Sequence, residues 1–206
     1  WPEVKKTLTK RYNLAIRRLT QMKADDILQT YLNAFAREID PHTSYLSPRA
    51  AKAFQESMNL SLEGIGATLQ MEDDVTTIKS LVPGAPAALS KKINVNDKIV
   101  GVGQSADKIE DVIGWRLDDV VDQIKGKKGT KVYLEIEPAK GGKNKVVTLT
   151  RDKIRLEDSA AKLTVDQVDG RNVAVIKTPG FYIGLTKDVR KLLVHVNSKK
   201  ADGLSV

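Results

Sequence analysis

The sequence predicts an α+β chain of more than one domain: a helical N-terminal segment, a β-rich middle with two helices, and the opening of an α/β unit. Three observations carry this expectation. The hydrophobic period is helical up to about residue 58, alternates from about residue 60, and changes again after Ile154. With 206 residues, 41% hydrophobic and 29% charged, the chain is long enough to bury a core and sits at the border between one domain and two. The same composition excludes disordered and collagen-like classes.

In residues 3–22, Val4, Leu8, Tyr12, Ala15, Ile16, Leu19 and Met22 recur at spacings of three and four, the stripe of an amphipathic helix with a basic outer face. Ile27, Leu28, Tyr31, Leu32, Phe35 and Ile39 form a second stripe. It follows Asp25 and Asp26, whose charges suit the positive end of a helix dipole, and Pro41 stops it. Ser47 and Pro48 read as cap and first turn of a third helix carrying Phe54 and Met58. Residues 1–59 are therefore expected to be helical.

Beyond Leu60, Ile65, Ala67, Leu69 and Met71 fall on one face of a strand and Gly66, Thr68 and Gln70 on the other. Further strands are expected at 76–82, 98–102, 132–136 and 146–150. Pro83-Gly84-Ala85-Pro86, Asn96-Asp97 and Lys140-Gly141-Gly142-Lys143 supply turns between them. One short helix at 87–91 and a longer one at 115–125, with Leu117, Val120, Val121 and Ile124 as its apolar face, complete a compact unit at 60–153. After Ile154 come a strand at 173–176, a helix at 186–197 with Val189, Leu192, Leu193 and Val196, and a strand at 204–206. That order opens a βαβ unit, whose parallel sheet needs covering on both faces. Residues 154–206 cannot supply the remaining strands, so they read as the truncated beginning of a further domain. The junctions near Leu60 and Arg155 are expected hinges.

Composition narrows the chemistry. With no cysteine and two histidines far apart, disulfides, thiol nucleophiles and thiolate metal sites are excluded, and little remains for a zinc site. No metal or cofactor is expected. No stretch is apolar enough for a membrane span, and the first twenty residues, with Lys5, Lys6, Lys10, Arg11, Arg17 and Arg18, do not form a signal peptide. The net charge of +8 raises the question of nucleic acid. Its densest patches, 125–131 and 140–145, are broken by glycines and lack interleaved aromatic residues, so they read as solvated hairpin tips, and no nucleic-acid partner is expected. Gly101-Val102-Gly103 has no third glycine opening a helix, and Gly126-Lys127-Lys128-Gly129-Thr130 follows a helix rather than a strand; neither is a nucleotide loop. Asp73-Asp74 and Asp118-Asp119 lack calcium-loop spacing and mark a turn and a helix start.

The most informative stretch is Leu62-Glu63-Gly64-Ile65-Gly66-Ala67. Glycines at 64 and 66 let a loop turn its N–H groups inward just before a strand, and such a nest binds a carboxylate without a basic side chain. With an open strand edge beside the helix of Leu117, Val120, Val121 and Ile124, an extended peptide would add as a strand and end in the nest. Leu62, Ile65 and the helix face would take its last side chain. The same residues also fit a tight turn and an ordinary core stripe.

Several motifs reach a family. Asp40-Pro41-His42-Thr43-Ser44-Tyr45-Leu46, the 62–67 stretch, Pro83-Gly84-Ala85-Pro86-Ala87-Ala88, Asn96-Asp97-Lys98-Ile99-Val100, Gly114-Trp115-Arg116-Leu117-Asp118-Asp119-Val120-Val121, Leu149-Thr150-Arg151-Asp152-Lys153-Ile154 and Pro179-Gly180-Phe181-Tyr182 follow in order. The chain resembles the tail-specific, or C-terminal processing, serine peptidases, and its N-terminal helices look most like their periplasmic Gram-negative branch. The resemblance implies a PDZ domain, a partly open β-barrel with two helices, at 60–153. It would lie between the helical segment and a crotonase-like α/β protease core. It also implies an endopeptidase that selects substrates by an apolar C-terminal tail, with an adaptor protein as a further partner, a periplasmic location, and a serine-lysine dyad beyond residue 206. Gly64, Ile65 and Gly66 would then bind the tail's carboxylate, Leu62, Leu117, Val120, Val121 and Ile124 its side chain, and Ala67 would be a further peptide-binding residue. No catalytic residue is expected in this chain: Ser44, Ser47 and Ser205 have no evident base, and His42 and His195 read as a turn and a surface residue. Two rivals stay open, a non-catalytic peptide-binding scaffold and a basic nucleic-acid module.

Overall fold

The structure, a computed structural model, describes residues 1–156, 159–198 and 202–205, apart from the side chains of Lys10, Arg18, Asn197 and Ser198. The chain divides into two compact units, Trp1–Gln55 and Glu56–Val206.

In the first unit, α1 (Pro2–Thr20) begins on a proline, whose fixed φ suits a first helical turn. In α2 (Ala24–Ile39) Asp26 closes the first turn by accepting the Lys23 N–H at 3.0 Å. The chain then reverses through Asp40, whose carboxylate accepts the Thr43 hydroxyl at 2.6 Å and the His42 N–H at 3.1 Å. Those bonds, the Thr43 hydroxyl first, hold its carboxyl below the usual range. Asn33 fixes the returning segment, donating to the Tyr45 carbonyl at 3.1 Å and accepting the Tyr45 N–H at 2.8 Å. The chain next enters α3 (Pro48–Met58). Much of both apolar stripes, including Tyr12, Leu19, Tyr31, Phe35 and Ile39, stays exposed.

The second unit is built on β1 (Ser61–Gly64), β2 (Ala67–Glu72), β3 (Val75–Leu81), α4 (Pro86–Ser90), β4 (Lys98–Ser105), β5 (Lys108–Asp111), α5 (Leu117–Ile124), β6 (Lys131–Glu137) and β7 (Lys145–Thr150). Strands β2 to β7 form one six-stranded sheet in the order β2-β3-β4-β6-β7, with β5 folded back on β4. Alternation places Ile78, Ile99, Val102, Val132, Leu134, Ile136, Val147 and Leu149 in one core, closed by Val120 and Ile124 of α5 and Ala87 of α4. Asp73 and Asp74 turn the β2–β3 hairpin in the left-handed region, φ 44° and 70°, which aspartate tolerates. The buried Asp97 carboxylate accepts the Asn94 N–H at 2.9 Å and the Ala139 N–H at 3.0 Å, pinning the start of β4 to the end of β6. Gly101 and Gly103 owe their identity to β5. A Cβ at 101 would lie 2.8 Å from Ile109 Cγ2, and one at 103 would lie 2.3 Å from the Lys108 carbonyl oxygen.

The chain leaves the sheet through β8 (Asp152–Arg155), which pairs antiparallel with β1 from Ser61↔Arg155 to Gly64↔Asp152. The Leu156 N–H extends this pairing to the Leu60 carbonyl at 2.9 Å. The two expected hinges are thus zipped to each other. Asp152 accepts the Lys128 ammonium at 2.6 Å and the Lys153 N–H at 2.7 Å, and these bonds, Lys128 first, lower its pKa. A carboxyl whose folded pKa is depressed stabilises the fold above its unfolded pKa and loses that contribution as pH falls through the folded value. In a carboxyl-detected NMR titration, Asp152 is expected to titrate below the ordinary aspartate range, and Lys128→Met to move its midpoint upward. An unchanged midpoint would remove Lys128 as the cause.

A second sheet follows, in which β9 (Lys162–Val168) and β10 (Arg171–Lys177) form a hairpin and α6 (Leu185–Ser198) crosses to β11 (Gly203–Ser205), parallel to β10. This is the β-α-β order read from the sequence, although the Val206 end of its last strand lies outside the described residues. Tyr182 ties the connection, donating its hydroxyl proton to Asp188 Oδ2 at 3.1 Å and accepting the Ala161 N–H at 3.1 Å. The sequence pattern missed β1, β5, β8 and β9, and the strand expected through residues 65–71 begins only at Ala67, because the chain kinks at Gly66 (φ 75°).

Candidate functional site: an open strand edge with a glycine-lined end

Strand β2 lies at the end of the six-stranded sheet, bonded to β3 on one side, and α5 packs beside it. An open strand edge next to a helix is the geometry that accepts a further strand. At the start of β2 the Gly64–Ala67 turn closes the groove. Its carbonyls are engaged: Ile65 accepts the Ala87 N–H and Gly66 accepts the Val82 N–H, both at 2.9 Å. Among the described residues, the N–H groups of Ile65 and Gly66 donate no backbone hydrogen bond of their own. Gly66 is required twice over, by its φ of 75° and because a Cβ there would lie 2.2 Å from Ala85 Cβ.

The structure divides the predicted site residues into two groups. Leu62, Ala67, Leu117 and Val121 are half-buried around the groove. The side chains of Ile65, Val120 and Ile124, 3%, 0% and 3% exposed, pack in the hydrophobic core. The reason is helical spacing: Val120 and Ile124, four apart, form the row turned into the domain, and Leu117 and Val121 form the neighbouring row.

Three residues that sequence reasoning passed over shape the end of the groove. Arg151 is 3% exposed, and its guanidinium gives five hydrogen bonds: to the Ile124, Gln123 and Lys131 carbonyls and to the Thr130 and Gln104 side chains, at 2.7–3.0 Å. It caps the last carbonyls of α5, where a cation opposes the negative end of the helix dipole. Burial lowers its pKa from the ordinary arginine value. Lys125, the C-cap of α5, runs beside the turn, with its Cγ 3.8 Å from where a Gly64 Cβ would stand. Its ammonium donates to Glu56 Oε2 at 2.7 Å. The Gly126 N–H donates to the Glu63 carbonyl at 3.4 Å. A run of basic residues conceals Lys125 in the sequence, since nothing in the spacing tells a capping lysine from a solvated one.

His42 and His195 are both exposed and lie on different elements. Among the described residues no group of three or more acidic or histidine side chains is placed to hold a metal, and no helix is long and apolar enough to cross a membrane.

Residues 1–49 match the family described as the tail specific protease N-terminal domain, and residues 54–137 match the PDZ domain. The chain is 71% identical over all its 206 residues to the tail-specific protease of Haemophilus influenzae, of which it covers 30%. It is 30% identical over 164 residues, 80% of its length, to the carboxy-terminal processing protease CtpA of Bacillus subtilis, and covers 33% of that protein. The chain thus spans about a third of the length of these curated relatives. Among solved structures it is similar to the PDZ domain of the carboxy-terminal protease from Vibrio cholerae, solved in complex with peptide. The identity is 62%, with 47% of this chain and all of that one covered, at a TM-score of 0.45. On these matches, which run in order from the first residue, the chain belongs to the tail-specific protease family and carries its N-terminal and PDZ domains.

Proposed function

We propose that residues 60–153 read the C-terminal tail of a substrate protein. The tail adds as a strand to the open edge of β2, its carboxylate meets the amides of the Gly64–Ala67 turn, and its last apolar side chain rests on Leu62, Leu117 and Val121. The observation that carries this reading is the β2 edge, unpaired among the described residues, which begins at a turn whose carbonyls are already engaged. In the whole protein this domain selects substrates for a serine endopeptidase in the periplasm. Residues 1–59 form its helical segment, residues 154–206 begin its protease core, and the serine-lysine dyad lies beyond residue 206. An adaptor protein is a further partner in this scheme.

The test is a titration of the chain with a labelled peptide ending in small apolar residues, beside the same peptide as a C-terminal amide. Charge-assisted hydrogen bonds contribute about 1.5–3 kcal/mol, so the free acid is expected to bind roughly 10- to 100-fold more tightly. Val121→Lys, which sets a charge on the half-buried row, is expected to remove binding of both. Equal binding of acid and amide would overturn the carboxylate-reading role.

A further inference from the structure

We propose that Lys125 is a second carboxylate-binding group at the end of the groove, held in reserve by Glu56: an arriving carboxylate takes the ammonium and releases Glu56. The inference rests on the tail-reading function and adds to it a basic side chain that the glycine turn does not itself require.

Position comes first. The Lys125 stem passes Gly64, two residues from Gly66, so its ammonium lies within side-chain reach of the turn where the carboxylate would sit. The backbone of Lys125 is fixed, its N–H donating to the Val121 carbonyl at 2.8 Å, which leaves the four-carbon stem as the part that swings. An ammonium has three donors, and Glu56 Oε2 accepts one of them at 2.7 Å.

Chemistry comes second. The two side chains are 26% and 19% exposed, so the pair is less screened than one on the open surface, yet it is not sealed in the core. Exchanging one carboxylate for another at the same ammonium leaves the charge count of that contact unchanged. A C-terminal amide offers no such exchange, so the pair adds discrimination to the acid. Glu56 lies in the last turns of α3, which are themselves tied down: the Met58 carbonyl accepts the Ile183 N–H at 2.7 Å, and the Leu60 carbonyl accepts the Leu156 N–H at 2.9 Å. Both backbones are thus held, and the exchange requires only the Lys125 side chain to swing from Glu56 to the arriving carboxylate.

The experiment compares the 206-residue chain with Glu56→Gln, Lys125→Met and the double variant, titrating each with the free-acid peptide and its amide. Glu56→Gln removes the competitor and is expected to tighten free-acid binding by roughly 3- to 10-fold with no change for the amide. Lys125→Met is expected to weaken free-acid binding by a similar factor, and Glu56→Gln to have no effect in its presence. A gain of affinity is a result that misfolding does not imitate, so Glu56→Gln decides the matter even if Lys125→Met is destabilised. Acid preference in the parent chain that Glu56→Gln leaves unchanged would overturn the exchange alone. A parent chain that binds acid and amide equally would overturn the tail-reading function, and the exchange with it.

Discussion

Gly66→Ala is expected to abolish measurable binding of a peptide with a free C-terminus while leaving the six-stranded sheet folded. Two independent effects combine at this position. A residue with a Cβ in the left-handed region costs about 1–2 kcal/mol. That Cβ would also lie 2.2 Å from Ala85 Cβ, so the backbone of one loop has to move, at about 1–3 kcal/mol. The movement falls on the residues whose amides form the proposed nest, and an oriented set of donors loses most of its affinity when it is displaced. Gly64→Ala is the control. A Cβ there meets Leu62 Cδ1 at 3.5 Å and Lys125 Cγ at 3.8 Å, ordinary contacts with no positive φ, and binding is expected to survive. Paired peptide titrations and thermal melts read both variants. A Gly66→Ala protein that binds as the parent does would show that this turn is not where the carboxylate sits.

Much of this architecture was legible because period and punctuation agree. The helices at α2 and α5 follow from stripes bounded by acidic first turns, and β6 and β7 from strict alternation around a glycine-rich turn. The missed strands share a physical cause. Strand β8 is four residues of mixed polarity, Asp152–Arg155, whose identity comes from pairing with β1 ninety residues earlier in the chain, about which local sequence is silent. Strand β5 is revealed only indirectly, by two glycines in β4 that make room for it. Within α5, apolarity alone does not separate the buried row of Val120 and Ile124 from the half-buried row of Leu117 and Val121. Long-range polar contacts were the least legible. Glu56 and Lys125 are 69 residues apart, and neither sequence neighbourhood points to the other.

Arg151→Met is expected to be the most destabilising single substitution at the groove. The guanidinium is buried, and none of its five acceptors is a carboxylate; the charge is balanced by carbonyl and side-chain dipoles, with the C-terminal end of α5 foremost. Methionine fills most of the volume and removes every donor. The Ile124 carbonyl then loses its cap, the Gln123 carbonyl keeps only the Gln104 Nε2 donor at 2.9 Å, and the Lys131 carbonyl and Gln104 Oε1 lose the guanidinium. Each buried acceptor left unsatisfied costs about 1–3 kcal/mol, partly relieved by water at the surface end, so a net loss of about 3 kcal/mol is expected. That corresponds to a fall in melting temperature of about 12–24 °C for a domain of roughly 100 residues. Arg151→Lys is not expected to rescue it, because a single ammonium with three donors does not span acceptors on β4, α5 and the start of β6. The discriminating readout is the peptide groove. If Arg151 matters only as core filling, Arg151→Met lowers the melting temperature and leaves free-acid affinity intact in the fraction that remains folded. If it holds the end of α5 in place, the affinity falls in the folded protein as well, since Val121 and Lys125 both hang from the helix turn that Arg151 caps.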